Sequence, residues 1–202
     1  MMHNADRAAA KADLRVMTIA RRQSISEQSR RAMDGAIAAH LTALPEAVAA
    51  HHIHLYLSMP ALAEVSTEPI IEAFAAMQKR LSVPVVQHGE LLSARYQPGD
   101  LVRSAAFGPP EPERFVAVDE SDLALVLLPL LAFDGRGYRL GYGKGMYDRF
   151  LQRLALQGVH PFRAGVAYQQ QQLDELPLDP WDEPLDALIH EDGIIRFSSH
   201  AA

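Results

Sequence analysis

Cysteine is missing altogether from the 202 residues, and tryptophan occurs once, at Trp181. Without thiols there is no disulfide framework and no thiolate metal site, which suits a reducing, cytoplasmic setting. Basic charge is also scarce. Nineteen Lys and Arg stand against 25 Asp and Glu, a net charge of −6 with a pI near 5.8. No face-wide cationic excess is left for nucleic acid. The longest apolar run, Leu123 to Phe133, is interrupted by Pro129 and falls well short of the ~20 residues that a spanning helix needs. The opening MMHNADRAAAKADLRV mixes charge with alanine and has no apolar centre, unlike a secretory signal. Two common phosphate cradles are absent as well. Lys144 is followed by Gly145 where the Walker pattern needs a hydroxyl residue, and Gly135 and Gly137 are followed by Leu140 where the dinucleotide pattern needs a third glycine. The expectation is one soluble domain over residues 1–202, without nucleic-acid or membrane partners. Its hydrophobic residues, 49% of the chain, suffice for a substantial core.

Helical spacing predicts a helix from Asn4 to about Arg22, and a second through Leu44 with Ser24 or Ser26 as its cap. His52 to Ser58 alternates and reads as a strand. Thr67 opens a helix carrying Ile70, Ile71, Phe74 and Met77 that ends near Leu81. Val83–Gln87 and Leu91–Tyr96 read as strands. Gln97 to Glu113, with four prolines and two glycines, reads as a loop. Leu123–Pro129 has the continuous apolar pattern of a strand covered on both faces. A helix over Gly145–Gln157 and strands at Arg163–Tyr168, Ala187–Ile189 and Ile194–Phe197 complete the pattern. Strands alternating with helices predict an α/β domain around a mostly parallel sheet.

The densest signal lies in LLPLLAFDGRGYRLGYGKGMYDRFL, Leu127 to Leu151. Five of the twelve glycines fall between Gly135 and Gly145, and from Asp134 to Arg149 four cations (Arg136, Arg139, Lys144, Arg149) face two acids (Asp134, Asp148). A glycine-rich turn with cations that opens a helix suits an anion. Asp148, one turn into that helix, is placed to reach a cation riding on phosphates. A hairpin whose glycines serve only its turns accommodates the same composition. Other charges read more plainly. Lys11 and Arg15 share a helix face as a solvated stripe, and Arg21, Arg22, Arg30 and Arg31 read as surface charges. His51, His52 and His54 decorate a strand end, since only two share a face and no third metal ligand is near. Trp181, in an acidic proline-rich loop, is expected to pack its ring on something.

The run Ala132 to Leu151 closely resembles the signature of the 5-formyltetrahydrofolate cyclo-ligases, also called 5,10-methenyltetrahydrofolate synthetases. Further landmarks follow in that family's order: Lys11 with Leu14-Arg15, Leu57-Ser58-Met59 before Glu64-Val65-Ser66-Thr67, and Gly108 with Glu111-Pro112. Then come Ala167-Tyr168 with Gln171, Leu176-Pro177, and Asp182 before Leu185-Asp186. The resemblance implies a three-layer α/β/α fold like that of the glucosamine-6-phosphate deaminase and ribose-5-phosphate isomerase group. It implies ATP- and Mg²⁺-dependent cyclisation of 5-formyltetrahydrofolate to 5,10-methenyltetrahydrofolate with release of ADP and phosphate, by a cytoplasmic monomer acting on simple or polyglutamylated folate. Carried over by position, Lys11, Arg15, Arg139, Leu140, Gly141, Tyr142, Gly143, Lys144, Gly145, Met146 and Tyr147 would hold ATP, with Lys144 and Arg139 as the catalytic cations. Leu57, Met59 and Glu64, together with Tyr142, Gly143, Lys144, Gly145 and Met146, would border the folate. Asp148 and Asp182 would hold Mg²⁺. The chain departs from the pattern at Met146, where an aromatic is usual, at Trp181, where histidine is common, and at His190, where threonine is common. A non-catalytic folate or nucleotide binder is the alternative these departures motivate, and a sugar-phosphate isomerase would share the implied fold.

Overall fold

The computed structural model describes residues 4–103 and 108–197. In chain order the helices are α1 (Asn4–Gln23), α2 (Glu27–Ala43), α3 (Pro45–Ala49), α4 (Glu68–Ala76) and α5 (Met146–Leu156). The strands are β1 (His52–His54), β2 (Arg80–Gln87), β3 (Glu90–Tyr96), β4 (Val102–Arg103), β5 (Glu111–Pro112), β6 (Leu125–Leu128), β7 (Ala132–Phe133), β8 (Arg139–Leu140), β9 (Phe162–Val166), β10 (Ala187–His190) and β11 (Gly193–Arg196). Seven strands form the main sheet in the order β11-β10-β9-β6-β1-β2-β3. The five central strands run parallel, and β3 and β11 close the edges antiparallel. The expected α/β class with a mostly parallel sheet is what forms.

Side-chain alternation divides the core in two. On β6, Leu125 and Leu127 join Ile37 and Leu41 of α2 and Ile70 and Phe74 of α4. Val126 and Leu128 point the other way, to Phe150, Leu151 and Leu154 of α5. All four β6 side chains are fully buried, so its unbroken apolar run is that of a strand covered on both faces. Burying each such side chain contributes roughly 1.5–3 kcal/mol.

Several boundaries differ from the sequence expectation. β1 is only three residues long, because after Leu55, whose N–H still bonds Ser82 O at 2.9 Å, the backbone leaves the sheet. Ser26 rather than Ser24 caps α2, its side chain accepting from Ser29 N. The short α3, started by Pro45, was not anticipated. α4 stops at Ala76, since Gln78 adopts φ +58 and turns the chain into β2. Thr67 precedes α4 without a capping bond of its own; its hydroxyl accepts from Ser58 N instead. Within the expected Gln97–Glu113 loop, β4 and β5 pair antiparallel, and residues 104–107 lie outside the described part. His52 and His54 are not strand-end decoration. β1 lies between β2 and β6, so both rings are fully buried, and they bond Ser82 and Ser93 inside the sheet.

The chain runs from β1 to β2 on one side and later returns to β6 on the other. The strand order therefore reverses between β1 and β6, and ligands of open α/β sheets lie beyond the carboxyl ends of such strands. Here those ends are Leu55–Met59 after β1 and Pro129–Leu131 after β6.

Candidate functional site

α1 crosses the mouth of that crevice with a polar face. Lys11, Arg15, Thr18 and Arg22 follow spacings of four, three and four residues, which places them in one row on a helix. Lys11 Nζ binds Asp179 at 2.8 Å and Asp182 at 2.7 Å, so it is not part of a solvated stripe. Arg15 Nε donates to Gly141 O at 2.9 Å. Its guanidinium lies over Gly143, where a Cβ would come within 3.0 Å of Arg15 Cζ, and Gly143 itself sits at φ +92. Glycine is required there both for the left-handed backbone and for the approach of the arginine.

Arg22, expected on the surface, is 2% exposed. Its donors reach Leu62 O at 2.8 Å, Leu130 O at 3.2 Å and Tyr142 Oη at 3.0 Å. One guanidinium thus ties together the segments after β1 and β6 and the glycine loop. The signal that could have found it was its register with Lys11 and Arg15.

Glu64 faces Arg22 across Tyr142. The five-residue spacing from Met59 is taken up by a 3₁₀ turn, Pro60–Leu62, and by Ala63 in the left-handed region at φ 51. Glu64 Oε2 thereby accepts from Met59 N at 2.6 Å, while Oε1 accepts from the Tyr142 hydroxyl. Burial pushes the Glu64 carboxyl above its ordinary range, against the lowering effects of Tyr142, Met59 N–H and Arg22. Burial likewise raises the Tyr142 and Tyr147 phenols. Leu57 lies on the wall of a cavity of about 260 Å³ shared with Ile71, Tyr96 and Val102, with Glu68 and Glu72 on its lining.

The glycine loop is built by Asp134, which is fully buried and accepts from Arg136 N, Nε and Nη2, Tyr138 N and Leu176 N. Arg136 also binds Glu175 at 2.8 Å. It therefore belongs to the loop's frame rather than to the cations facing an anion. Leu140 is buried. Arg139, its side chain 5% exposed, binds Asp148 Oδ1 at 2.7 Å. Gly145, at φ +59, precedes α5 with no side-chain cap, leaving first-turn N–H groups without intrahelical acceptors. Lys144 is exposed, and its carbonyl accepts from Arg149. Met146 packs partly against the α5 core and places Sδ 3.0 Å from Arg149 Nη2. Tyr147 sets its ring edge-on to His54 and Phe150, and its buried hydroxyl has no hydrogen-bond partner among the described residues. Trp181 is 54% exposed, so its ring is at most half covered. Its carbonyl accepts from Gln152 Nε2.

Among the sequence-predicted residues, the fold joins Lys11 to Asp182, Arg139 to Asp148, Arg15 to Gly141 and Gly143, and Glu64 to Met59 and Tyr142. Among the described residues no three His, Cys, Asp or Glu side chains converge as a metal cage. Magnesium does not need one, since it takes one or two carboxylates with phosphate oxygens and water. Asp148 and Asp182 each commit one oxygen to a cation and a backbone N–H. The other oxygen of each has no hydrogen-bond partner among the described residues, and such hard oxygen donors fit Mg²⁺.

Comparison with known proteins fits this arrangement. Residues 7–191 match the 5-formyltetrahydrofolate cyclo-ligase family. The 5-formyltetrahydrofolate cyclo-ligase of Escherichia coli is 32% identical over 174 residues, 84% of this chain and 93% of its own length. That of Haemophilus influenzae is 33% identical over 169 residues, 81% and 88% of the two chains. The solved 5,10-methenyltetrahydrofolate synthetase of Aquifex aeolicus superposes with a TM-score of 0.79 at 33% identity, covering 95% of each chain. The one from Mycoplasma pneumoniae superposes at 0.71 with 28% identity, covering 90% of this chain and 98% of its own. The buried carboxylate beside a glycine loop tied down by arginines thus has its family: the chain belongs to the 5-formyltetrahydrofolate cyclo-ligases.

Proposed function

We propose that this enzyme uses ATP and Mg²⁺ to close 5-formyltetrahydrofolate into 5,10-methenyltetrahydrofolate, releasing ADP and phosphate. The observation that carries the reading is the docking of Arg15 on Gly141 and Gly143 beside the uncapped start of α5. Helix-start N–H groups, a guanidinium and the neighbouring Lys144 make a site for phosphate oxygens. That site adjoins the crevice where Glu64 and the Leu57-lined cavity offer a polar acceptor and an apolar wall. A pteridine presenting N–H donors and an aminobenzoyl ring has the matching chemistry.

The reaction needs a leaving group. A formyl oxygen on nitrogen leaves poorly, so it first attacks the γ-phosphorus of ATP and displaces ADP. N10 then adds to the activated carbon, loses its proton, and the carbon–oxygen bond breaks to release phosphate. The chain's task is positioning and neutralising charge. Lys144 and Arg139 supply positive charge to the transferred group, Arg15 and Lys11 hold the nucleotide, and Glu64 holds the folate ring. Asp148 and Asp182 would hold Mg²⁺, whose part is to offset phosphate charge. Lys11 and Arg139 keep those two carboxylates in place.

The test incubates the protein with 5-formyltetrahydrofolate, ATP and Mg²⁺ and follows methenyl product and ADP together. Equal molar amounts of both are expected. Folate binding without ADP would instead support a non-catalytic binder and end the proposal.

A further inference from the structure

We infer that Arg22 is a positioning residue for the folate-facing carboxylate, acting on Glu64 through the Tyr142 hydroxyl. The inference rests on the folate reading of Glu64 given above. A phenol has one proton. Tyr142 gives it to Glu64 Oε1, so the Tyr142 oxygen can meet Arg22 Nη2, 3.0 Å away, only as an acceptor. The chain of donors therefore has one direction, from Arg22 through Tyr142 to Glu64. Each bond in such a chain polarises the next.

The same guanidinium is fixed by Leu62 O and Leu130 O, one carbonyl from each side of the crevice. Its planar fork spreads donors in set directions, and a lysine would keep the charge but not the fork. Arg22 thus relays the spacing of the crevice walls to the tilt of the Glu64 carboxylate. Met59 N fixes the other oxygen at 2.6 Å, so Tyr142 is what decides the rotation of the group. Tyr142 also comes from the glycine loop, which makes the carboxylate's position depend on the loop that meets ATP.

The groups facing Glu64 are Arg22 from α1, Tyr142 from the glycine loop, Tyr56 from the segment after β1 and Tyr147 from α5. Among the described residues facing it, only Arg22 is cationic and only Tyr142 donates a side-chain proton to the carboxylate. Removing either favours the protonated acid, so the acid limb of kcat/KM for folate moves to higher pH.

The experiment measures steady-state kinetics across pH for the wild type, Tyr142→Phe and Arg22→Lys, varying folate and ATP separately. Both variants are expected to raise the folate KM by roughly tenfold, the size of one lost charge-assisted hydrogen bond. The ATP KM should stay within about twofold, and the acid limb should shift upward, further in Tyr142→Phe than in Arg22→Lys, which keeps the positive charge. Should Arg22→Lys fail to fold, Tyr142→Phe alone decides, because it deletes one oxygen and leaves both framework carbonyls bonded. Unchanged folate KM and acid limb would overturn the inference and leave Arg22 a framework bond. So would parallel rises in both KM values with the limb unmoved. In either case wild-type turnover would leave the folate reading standing. A wild type without folate turnover would overturn both.

Discussion

His54 shows how far one side chain can depart from its ordinary chemistry when the fold encloses it. Its ring lies against Tyr147 and Phe150, Nδ1 meets Ser93 at 3.1 Å and Ser82 at 3.4 Å, and Nε2 has no hydrogen-bond partner among the described residues. Burial, aided by the nearby His52 and Arg153, lowers its pKa from 6.5 to about 3. The folded protein therefore holds a neutral imidazole at pH values where the unfolded chain binds a proton. Stability from this group is complete above about pH 6.5 and is lost as pH falls toward 3, since the unfolded state carries the extra proton throughout that window. At pH 5 the loss is about 2 kcal/mol. Asp34 and Glu64, whose carboxyls burial raises, push the other way. The comparison with His54→Leu isolates the imidazole. Denaturant unfolding between pH 7 and 5 should show a shallower decline in the variant than in the wild type. Parallel curves would show that His54 is protonated in the folded protein.

The glycine loop and α1 are elements whose existence the sequence announced and whose partnerships it did not. Glycine spacing, the helix after Gly145 and the periodicity of α1 were all readable, because each depends on neighbours within one turn. The loop's charges were miscounted for a physical reason. Arg136 looks like a phosphate cation in sequence, yet Asp134, two residues back, closes a local turn around it and Glu175 completes the pair. Arg22 was misassigned because its acceptors, Leu62 O and Leu130 O, are backbone groups 40 and 108 residues away and carry no sequence mark. Asp134 should accordingly be the loop's keystone. Asp134→Asn keeps the shape but removes the charge that Arg136 and three backbone N–H groups share. With Arg136 partly solvated, the expected cost is about 2–3 kcal/mol, a drop of roughly 5–10 °C in Tm for a domain of this size. A Tm within a degree or two of wild type would mean the glycine loop holds itself by backbone alone.

Across the whole molecule, site and stability are coupled through the strand-order reversal between β1 and β6. The sheet's class was legible from alternating elements and the buried pattern of β6. The strand order was not, since β1 pairs with β2 and with β6, whose paired residues lie 72 positions further on, through backbone bonds indifferent to side-chain identity. Yet that order places Lys11, Arg15, the glycine loop and Asp182, drawn from both ends of the chain, at one mouth. Any ligand seated there bridges α1, the crevice walls and the acidic segment after Leu176, and it binds the folded state alone. Linkage then requires stabilisation by about 2.7 kcal/mol at a hundredfold excess over Kd, or roughly 5–10 °C in Tm. A non-hydrolysable ATP analogue with Mg²⁺ should produce a shift of that order in a thermal melt. Chelating the metal should remove most of it if Asp148 and Asp182 hold Mg²⁺ against the phosphates. Asp182→Asn should lose the metal-dependent part, and Lys11→Ala, which also removes the partner of Asp182, should reduce both the nucleotide and the metal contributions. If chelation leaves the analogue's shift intact, Asp148 and Asp182 serve only as partners of Arg139 and Lys11, and the metal assignment fails while the nucleotide site stands.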